Sequence, residues 1–259
     1  MITVLVSGAA GRMGSEVVRA VSAEDDLRLV AAVDPAHAGE QVQDAPGLSY
    51  AGDLAKTLEA THPDVMVDFT HPSVVAGNIE TALTRGVHCV VGTTGLPMPT
   101  LEDLAARARD GACLFVAPNF AIGAVLMMRF AAEAARFMPH VEIVELHHDR
   151  KADAPSGTAL RTAGLIAAAR DHVPEGPGRE TEIADGARGA LVDGVTIHSV
   201  RLPGLVAHQE VLFGGQGQTL SLRHDSIDRT SFMPGVILAV RKVTGRSGLI
   251  VGLERLMEE

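Results

Sequence analysis

Short apolar runs and amphipathic segments alternate along the chain up to Phe120. The runs are rich in β-branched residues and each is followed by turn residues, a pattern typical of a parallel sheet with crossover helices. A helix is predicted over residues 16–22, where Val17, Val18 and Val21 recur at helical spacing. The predicted strands are residues 3–7, 27–33, 65–69, 88–91 and 114–117. Ligands bind beyond the carboxyl ends of the strands in such a sheet, so the turns that follow them form the predicted binding rim.

The pattern changes after Phe120. A strong helix is predicted up to Pro139, then a strand, a polar loop and a second helix. A long surface loop follows, and then three strands with short glycine-containing links, which favour an antiparallel meander. We expect the last helix, with the apolar segment after it, to pack back onto the first domain. In chain order these elements are helix 123–138, strand 141–146, helix 158–170, loop 171–194, strands 195–202, 205–213 and 218–224, and helix 232–243.

Composition and charge narrow the function classes. The chain of 259 residues is 46% hydrophobic and 21% charged, which is typical of an ordinary folded α/β protein. A formal net charge of −10 argues against general affinity for nucleic acid or an anionic membrane, so an anionic ligand requires a local concentration of positive charge. Cys89 and Cys113 lie in apolar runs, where we expect buried thiols in a reducing compartment. With no signal-peptide pattern and no apolar stretch of about 18 residues, we expect a cytoplasmic protein.

A glycine-rich turn follows the first predicted strand and leads into a helix: Gly8-Ala9-Ala10-Gly11-Arg12-Met13-Gly14. Gly8 would permit the tight turn, Gly11 the approach of a pyrophosphate and Gly14 close packing of the helix, while the helix start offers N–H groups to phosphates. The spacing is G-x-x-G-x-x-G rather than G-x-G-x-x-G. The segment therefore indicates dinucleotide binding, the alternative being a structural turn that binds nothing.

Asp34 follows the second predicted strand, twenty residues after Gly14. An acidic side chain there can accept hydrogen bonds from the adenosine ribose and repels a 2′-phosphate. Pro35 supplies no compensating cation, so we expect NADH to be preferred over NADPH, although Arg12 could reach a phosphate at this position. The alternative is that Asp34 only initiates a turn before proline.

Two further rim turns suit the nicotinamide half of a dinucleotide. Gly92-Thr93-Thr94 and Ala117-Pro118-Asn119-Phe120 have small residues and exposed backbone groups that could bind a ring carboxamide. The ring of Phe120 could flank the nicotinamide. Taken alone, each segment could also be a turn without a ligand.

The densest chemistry lies after the strand at 141–146. His147, His148, Arg150 and Lys151 form a cationic, proton-donating loop. Ser156 is a predicted N-cap, which would leave the N–H groups that follow it available to a carboxylate or phosphate. An anion site beside proton donors suits reduction of a small carboxylated substrate. A metal site is disfavoured, because adjacent histidines without further matched ligands do not make a coordination set.

These motifs resemble those of the 4-hydroxy-tetrahydrodipicolinate reductase (dihydrodipicolinate reductase) family. Residues 145–159 match its signature E-x-H-H-x-x-K-x-D-A-P-S-G-T-A, and the resemblance covers essentially the whole chain. Further matches, in the family's order, are residues 8–14, 68–70, 92–95, 117–120, 224–229 and 232–240. One departure is Pro35, where many members carry an arginine, which weakens the expectation of strong NADPH use.

The resemblance implies a role for each matching residue. His147 would be a proton donor and acceptor and Lys151 a proton donor, while His148 would bind substrate. Gly157 and Thr158 would hold a substrate carboxylate through their N–H groups. The implied cofactor-binding residues are Gly8, Ala9, Ala10, Gly11, Arg12, Met13, Asp34, Gly92, Thr93, Thr94, Ala117, Pro118, Asn119 and Phe120.

The resemblance also implies a fold and a reaction. The fold is α/β, with a Rossmann-like dinucleotide-binding domain (residues 1–121 and 232–259) and a central α+β domain (residues 122–231) whose open mixed sheet binds substrate and builds a homotetramer. The reaction is NAD(P)H-dependent reduction of 4-hydroxy-tetrahydrodipicolinate to tetrahydrodipicolinate and water, in the diaminopimelate pathway of lysine biosynthesis.

Two alternatives remain open at this stage. A dehydrogenase acting on an amino acid or a semialdehyde could share the two-domain plan, although a semialdehyde dehydrogenase needs a nucleophilic cysteine in a polar turn. A non-catalytic NADH-sensing regulator would use the dinucleotide domain without needing a proton-donor loop.

Overall fold

The computed structural model describes residues 1–174 and 181–257. Its strands are Ile2–Ser7 (β1), Leu27–Val33 (β2), Val65–Asp68 (β3), His88–Val91 (β4), Cys113–Val116 (β5), His140–His147 (β6), Ala190–Val192 (β7), Val195–Arg201 (β8), Ala207–Gly215 (β9), Gln218–Ser226 (β10) and Gly248–Val251 (β11). Its α-helices are Gly14–Ser22 (α1), Leu54–Thr61 (α2), Pro72–Leu83 (α3), Met98–Ala106 (α4), Ile122–Ala135 (α5), Gly157–Ala169 (α6), Met233–Val243 (α7) and Glu254–Met257 (α8).

The described residues form two compact units. Unit 1 comprises Met1–Phe120 and Phe232–Glu259, and unit 2 comprises Ala121–Ser231. The carboxyl-terminal helix α7 packs on α1 and β4 of unit 1, which confirms that the chain end returns to the first domain. The division falls one residue before the boundary expected from the sequence.

Unit 1 is built around a six-stranded parallel sheet with the order β11-β5-β4-β3-β1-β2. The sheet is fully parallel because each strand returns through a crossover helix, and its strands are buried runs such as Val65–Asp68. β1 lies between β2 and β3, so the chain reverses its direction of travel across the sheet beside β1, where the glycine-rich turn emerges. The sixth strand, β11, was missed as a strand because four apolar residues near the chain end carry little periodicity.

Unit 2 contains a five-stranded mixed sheet with the order β10-β9-β6-β8-β7. The predicted meander is wrong in one respect: β8 and β9 are not neighbours, because β6 lies between them. β6 pairs parallel with β8 and antiparallel with β9, while β9 and β10 form the predicted hairpin. Short links suggest adjacent pairing, but here the five residues between β8 and β9 carry the chain across β6.

The predicted loop 171–194 also needs correction. Residues 190–192 form the edge strand β7, which pairs antiparallel with β8. Part of the predicted loop, residues 175–180, lies outside the described residues. Together the two sheets confirm the α/β class, with a Rossmann-like parallel sheet and a separate mixed sheet.

Candidate active site

The glycine-rich turn of unit 1 depends on the absence of side chains at two positions. Gly8 has a φ of +76°, a conformation that favours glycine. A Cβ built on Gly14 would lie 2.0 Å from the carbonyl oxygen of Gly8, so α1 can start this close to the turn only with glycine at its first position. The sequence assigned these two glycines to the turn and to helix packing, and the geometry agrees with both assignments.

The start of α1 fits an anionic group. No side chain caps this helix start. Within residues 1–174 and 181–257, the N–H groups of Arg12 and Met13 donate to no acceptor. Unpaired N–H groups at a helix start, with the positive end of the helix dipole behind them, are the usual elements of a pyrophosphate site. The turn therefore fits the phosphates of a dinucleotide.

Asp34 combines the two interpretations given for it above. One carboxylate oxygen accepts a hydrogen bond from the N–H of Ala36 at 3.2 Å, capping the turn that begins at Pro35. The other accepts from the N–H of Ala10 at 3.1 Å. The side chain thus begins a turn and also connects the end of β2 to the glycine-rich turn, where an adenosine ribose would lie.

The remaining rim segments of unit 1 meet at Phe69. A Cβ on Gly8 would lie 2.7 Å from the Phe69 carbonyl oxygen, and a Cβ on Gly92 would lie 2.0 Å from the Phe69 ring. The rings of Phe69 and Phe120 are 5.6 Å apart, and Phe120 also packs on Phe115. Phe120 is only 3% exposed, so its ring is not available to flank a nicotinamide. We expect its backbone and the neighbouring turn residues to contact the nicotinamide instead.

A buried carboxylate within the matched segment 68–70, which was given no role from the sequence, holds two of these turns. Asp68, at the end of β3, accepts hydrogen bonds from the backbone and hydroxyl of Thr70 at 3.0 and 2.7 Å and from the Thr93 hydroxyl at 3.0 Å. The Asn78 amide donates to its other oxygen at 2.8 Å. An acidic residue closing an otherwise apolar strand is the signal that could have identified it. The network fixes the turn after β4 relative to the turn after β3.

The cysteines of unit 1 are not reactive groups. Cys89 and Cys113 are both free and fully buried. Burial raises the pKa of the Cys89 thiol well above its ordinary value and that of Cys113 to about 11. A thiol attacks as its thiolate, so neither residue suits the nucleophile that a semialdehyde dehydrogenase requires.

In unit 2 the cationic loop that contains His147 and Lys151 is organised around Glu145, a residue given no role from the sequence. Glu145 lies on β6 two residues before His147, so both side chains point to the same side of the sheet. Its carboxylate contacts His147 Nδ1 at 2.5 Å and the Arg201 guanidinium at 2.8 and 2.9 Å. Burial alone would raise the pKa of Glu145, but hydrogen bonds from His147 and Arg201 outweigh it and lower the pKa to about 2.

The same network extends to the loop that carries Lys151. The Lys151 ammonium donates to both carboxylate oxygens of Asp153, at 2.7 and 2.8 Å. Arg201 donates to the backbone carbonyl of Asp153 at 2.7 Å. Arg201 is the last residue of β8, far along the chain, and a single arginine at the end of a strand offered no local signal.

His148 is set apart from this network. Its Nδ1 atom is buried and has no hydrogen-bond partner among the described residues. Buried polar atoms in proteins are nearly always paired, so an unpaired one calls for an explanation such as a bound ligand. The position fits the substrate-binding role that the resemblance implies.

Helix α6 begins as predicted. The Ser156 hydroxyl accepts a hydrogen bond from the N–H of Ala159 at 3.2 Å, which confirms the N-cap. The N–H of Ser156 itself donates to Glu145 at 3.2 Å, tying the helix start to the network. A Cβ on Gly157 would meet no atom within 4 Å, so space is open above the helix start. A carboxylate could approach there, beside the cations of the loop.

The described residues contain neither a membrane-spanning helix nor a cluster of metal ligands. No helix in residues 1–174 or 181–257 is both long and apolar enough to span a membrane. In the same residues no three His, Cys, Asp or Glu side chains are grouped so that they could hold a metal ion.

Comparison with known proteins places the chain among characterised sequences. Residues 2–120 match the family model "Dihydrodipicolinate reductase, N-terminus", and residues 123–257 match "Dihydrodipicolinate reductase, C-terminus". The 4-hydroxy-tetrahydrodipicolinate reductase of Mycolicibacterium smegmatis is 52% identical over 98% of each chain, and that of Nocardia farcinica is 54% identical over 99% of each. The dipicolinate-bound dihydrodipicolinate reductase of Paenisporosarcina sp. superposes with a TM-score of 0.89 and 44% identity, covering 98% of this chain and 99% of that one.

Proposed function

The chain belongs to the dihydrodipicolinate reductase family, and from this premise we propose that it reduces 4-hydroxy-tetrahydrodipicolinate to tetrahydrodipicolinate with a reduced nicotinamide dinucleotide. This reaction belongs to the diaminopimelate route of lysine biosynthesis. The observation that carries the proposal is the network of unit 2, in which one buried carboxylate joins the proton-donating histidine, the lysine loop and an open helix start.

Unit 1 binds the cofactor. The turn Gly8–Met13 would hold the pyrophosphate, Asp34 the adenosine ribose, and the turns Gly92–Thr94 and Ala117–Phe120 the nicotinamide end. The open start of α1 and the two close approaches at Gly14 and Gly92 support this assignment. When bound, the nicotinamide supplies the hydride that the reduction requires.

Unit 2 binds the substrate. The N–H groups of Gly157 and Thr158, at the start of α6, would receive one carboxylate of the ring, and His148 would contact the same substrate, as the family resemblance implies. Lys151 and Arg150 offset the charge of a dicarboxylate against the net charge of −10. Dipicolinate, the dicarboxylate named for the Paenisporosarcina structure, is a stable stand-in for this ring.

The chemistry requires one hydride and one proton per ring. Loss of the substrate hydroxyl as water leaves a conjugated N=C–C=C system, and hydride addition at the carbon farthest from the nitrogen leaves an enamine. His147 and Lys151 supply the proton that completes the product. General acid catalysis of this kind contributes about 10²- to 10⁴-fold to the rate.

The substrate can be generated in the assay by the synthase that catalyses the preceding step of the same pathway. The proposal is then tested by following the absorbance of the reduced nicotinamide at 340 nm. We expect oxidation of NADH that depends on the synthase. His147→Ala and Lys151→Ala should each reduce turnover by about 10²- to 10³-fold. No oxidation of either NADH or NADPH by the unaltered protein would refute the function, and variants within threefold of wild type would refute the roles of these residues.

Two finer assignments complete the proposal. NADH is the preferred cofactor, because the carboxylate of Asp34 repels a 2′-phosphate and Pro35 supplies no cation; equal or higher kcat/KM with NADPH would contradict this. The protein is a homotetramer formed through the mixed sheet, whose face opposite α5 and α6 carries Leu212 and other partly exposed side chains. Light scattering should then give a mass near four times the 27.1 kDa chain, and a monomer mass would contradict it.

A further inference from the structure

Glu145 is a buried charge that connects several elements of the substrate unit's candidate site. It is 0% exposed, and a glutamate is rarely buried to this extent unless its carboxylate is paired. Its two oxygens accept hydrogen bonds from His147, from both terminal nitrogens of Arg201 and from the N–H of Ser156. Arg201 also donates to the carbonyl of Asp153, close to Lys151 in sequence and space. Glu145 therefore contacts the end of β6 and the helix start directly, and it is connected to the loop through Arg201.

The ionisation of Glu145 determines which nitrogen of His147 carries a proton. The pKa of Glu145 is lowered to about 2 because the hydrogen bonds from His147 and Arg201 outweigh the effect of burial. At neutral pH the side chain is a carboxylate, which can only accept hydrogen bonds. The 2.5 Å contact to His147 Nδ1 therefore requires a proton on Nδ1. Nε2 is then the atom at which the ring gains or loses a proton.

We propose that Glu145 is the positioning residue for proton transfer, holding the proton on His147 Nδ1 so that Nε2 exchanges the proton with the substrate. Arg201 maintains this arrangement by binding the carboxylate through two bonds and fixing the loop beside Lys151. The proposal rests on the function proposed above. Glu145 is not itself a catalytic residue, because its oxygens are fully used within the protein and it acts through His147.

The primary test is Glu145→Gln. The amide oxygen can still accept from Ser156, but an amide NH₂ facing Nδ1 donates, so the protonated ring loses its anionic partner. We expect kcat/KM to fall by about 30- to 300-fold and its alkaline limb to move to lower pH by about 1 to 2 units. Dipicolinate and NADH affinities should stay within about threefold, a split that general disruption of the site would not produce.

Glu145→Asp serves as the conservative variant. It keeps the charge on a shorter side chain, so the alkaline limb should remain at its wild-type position even where kcat falls. Glu142→Gln is the matched control, because Glu142 lies on the same strand and accepts from His198 at 2.7 Å and from Arg188, but on the opposite face of the sheet. It should keep the wild-type pH profile. An equal shift in Glu142→Gln would show a general effect of lost charge and would overturn the proposal.

Folding is controlled in two ways. Arg201 is left without its buried partner in Glu145→Gln, so Glu145→Gln/Arg201→Gln removes both charges together and should show the same shift of the alkaline limb. The unaltered protein provides a test that needs no variant of Glu145. In ¹⁵N NMR of its histidine rings, with the His147 signals assigned by their loss in His147→Ala, the neutral ring should carry its proton on Nδ1.

The outcomes separate this proposal from the one on which it rests. A proton on Nε2 of neutral His147, or a folded Glu145→Gln variant with a wild-type pH profile and kcat/KM within threefold, would overturn the positioning role while the reductase function stands. Absence of substrate-dependent NADH and NADPH oxidation by the unaltered protein would instead overturn the function, and the NMR result would still report on the histidine.

Discussion

Replacing Gly14 by alanine should destabilise unit 1 and weaken cofactor binding, because the added Cβ atom overlaps the glycine-rich turn. A Cβ there would lie 2.0 Å from the Gly8 carbonyl oxygen, 2.7 Å from the Gly8 carbonyl carbon and 2.8 Å from the Ala9 Cα. All three are backbone atoms of the glycine-rich turn, which no change of rotamer can move. Relief of the overlap requires α1 and the turn to separate by about 1 Å, and overpacking of this kind costs about 1–3 kcal/mol or more.

The matched control is Gly77→Ala. Gly77 lies inside α3 of the same unit, and a Cβ there would meet nothing within 4 Å. Alanine in a helix interior is favoured over glycine by about 0.5–1 kcal/mol, so this variant should be slightly more stable than wild type. The same substitution should therefore have opposite effects at the two helical positions.

Two assays measure these effects. Urea unfolding followed by circular dichroism should show Gly14→Ala to be less stable than wild type by at least about 1 kcal/mol. Titration with NADH, followed by nicotinamide fluorescence in a chain with no tryptophan, should show affinity reduced by at least about tenfold, the equivalent of 1.4 kcal/mol. Wild-type stability and wild-type NADH affinity in Gly14→Ala would refute the structural reasoning at this turn.

Three further predictions concern charge and hydrogen bonding. The pKa of Glu145 is lowered from 4.5 to about 2, so its ionised carboxylate stabilises the fold by at most about 3 kcal/mol above pH 4.5. This contribution is lost as the pH falls towards 2. In urea unfolding, the difference in stability between wild type and Glu145→Gln should therefore shrink over this pH range, and a constant difference would contradict the prediction. Asp34→Asn should raise the NADPH-to-NADH ratio of kcat/KM by about tenfold or more, whereas Asp53→Asn, which alters another capping aspartate of unit 1, should leave the ratio unchanged. Thr93→Val should destabilise unit 1 by about 1–3 kcal/mol in thermal unfolding by removing a donor to the buried carboxylate at the end of β3, while Thr81→Val, which removes an exposed hydroxyl bond, should cost less than 0.5 kcal/mol; equal costs would argue against the buried network.

Local patterns predicted the elements whose signals are local. Ser156 was identifiable as an N-cap because a capping hydroxyl acts within three residues of its own position. The parallel sheet of unit 1 was identifiable because buried strands and crossover helices alternate in the sequence. Gly8 and Gly14 followed from a spacing that has a mechanical reason at each position.

Features that depend on distant residues were not predictable in the same way. β6 lies between β8 and β9 because of pairing across the sheet, and a short link gives no sign of it. Arg201 and Glu145 are 56 positions apart in the sequence, so the residues around either one do not indicate that the two are paired. Glu145 did carry one usable signal, a charged side chain at a buried position of an alternating strand. Buried charges are rarely tolerated without a partner, and such a position is therefore worth examining first.

In the proposed reaction this chain transfers a hydride from nicotinamide, and a proton from His147 and Lys151, to the same ring. The most direct measurement uses NADH deuterated at both C4 positions, with the synthase-generated substrate, and mass spectrometry of the product. In H₂O the product should contain one deuterium from the cofactor, and the same reaction in D₂O with unlabelled NADH should place solvent deuterium in the ring. A product without cofactor deuterium, formed at the same rate, would contradict the account.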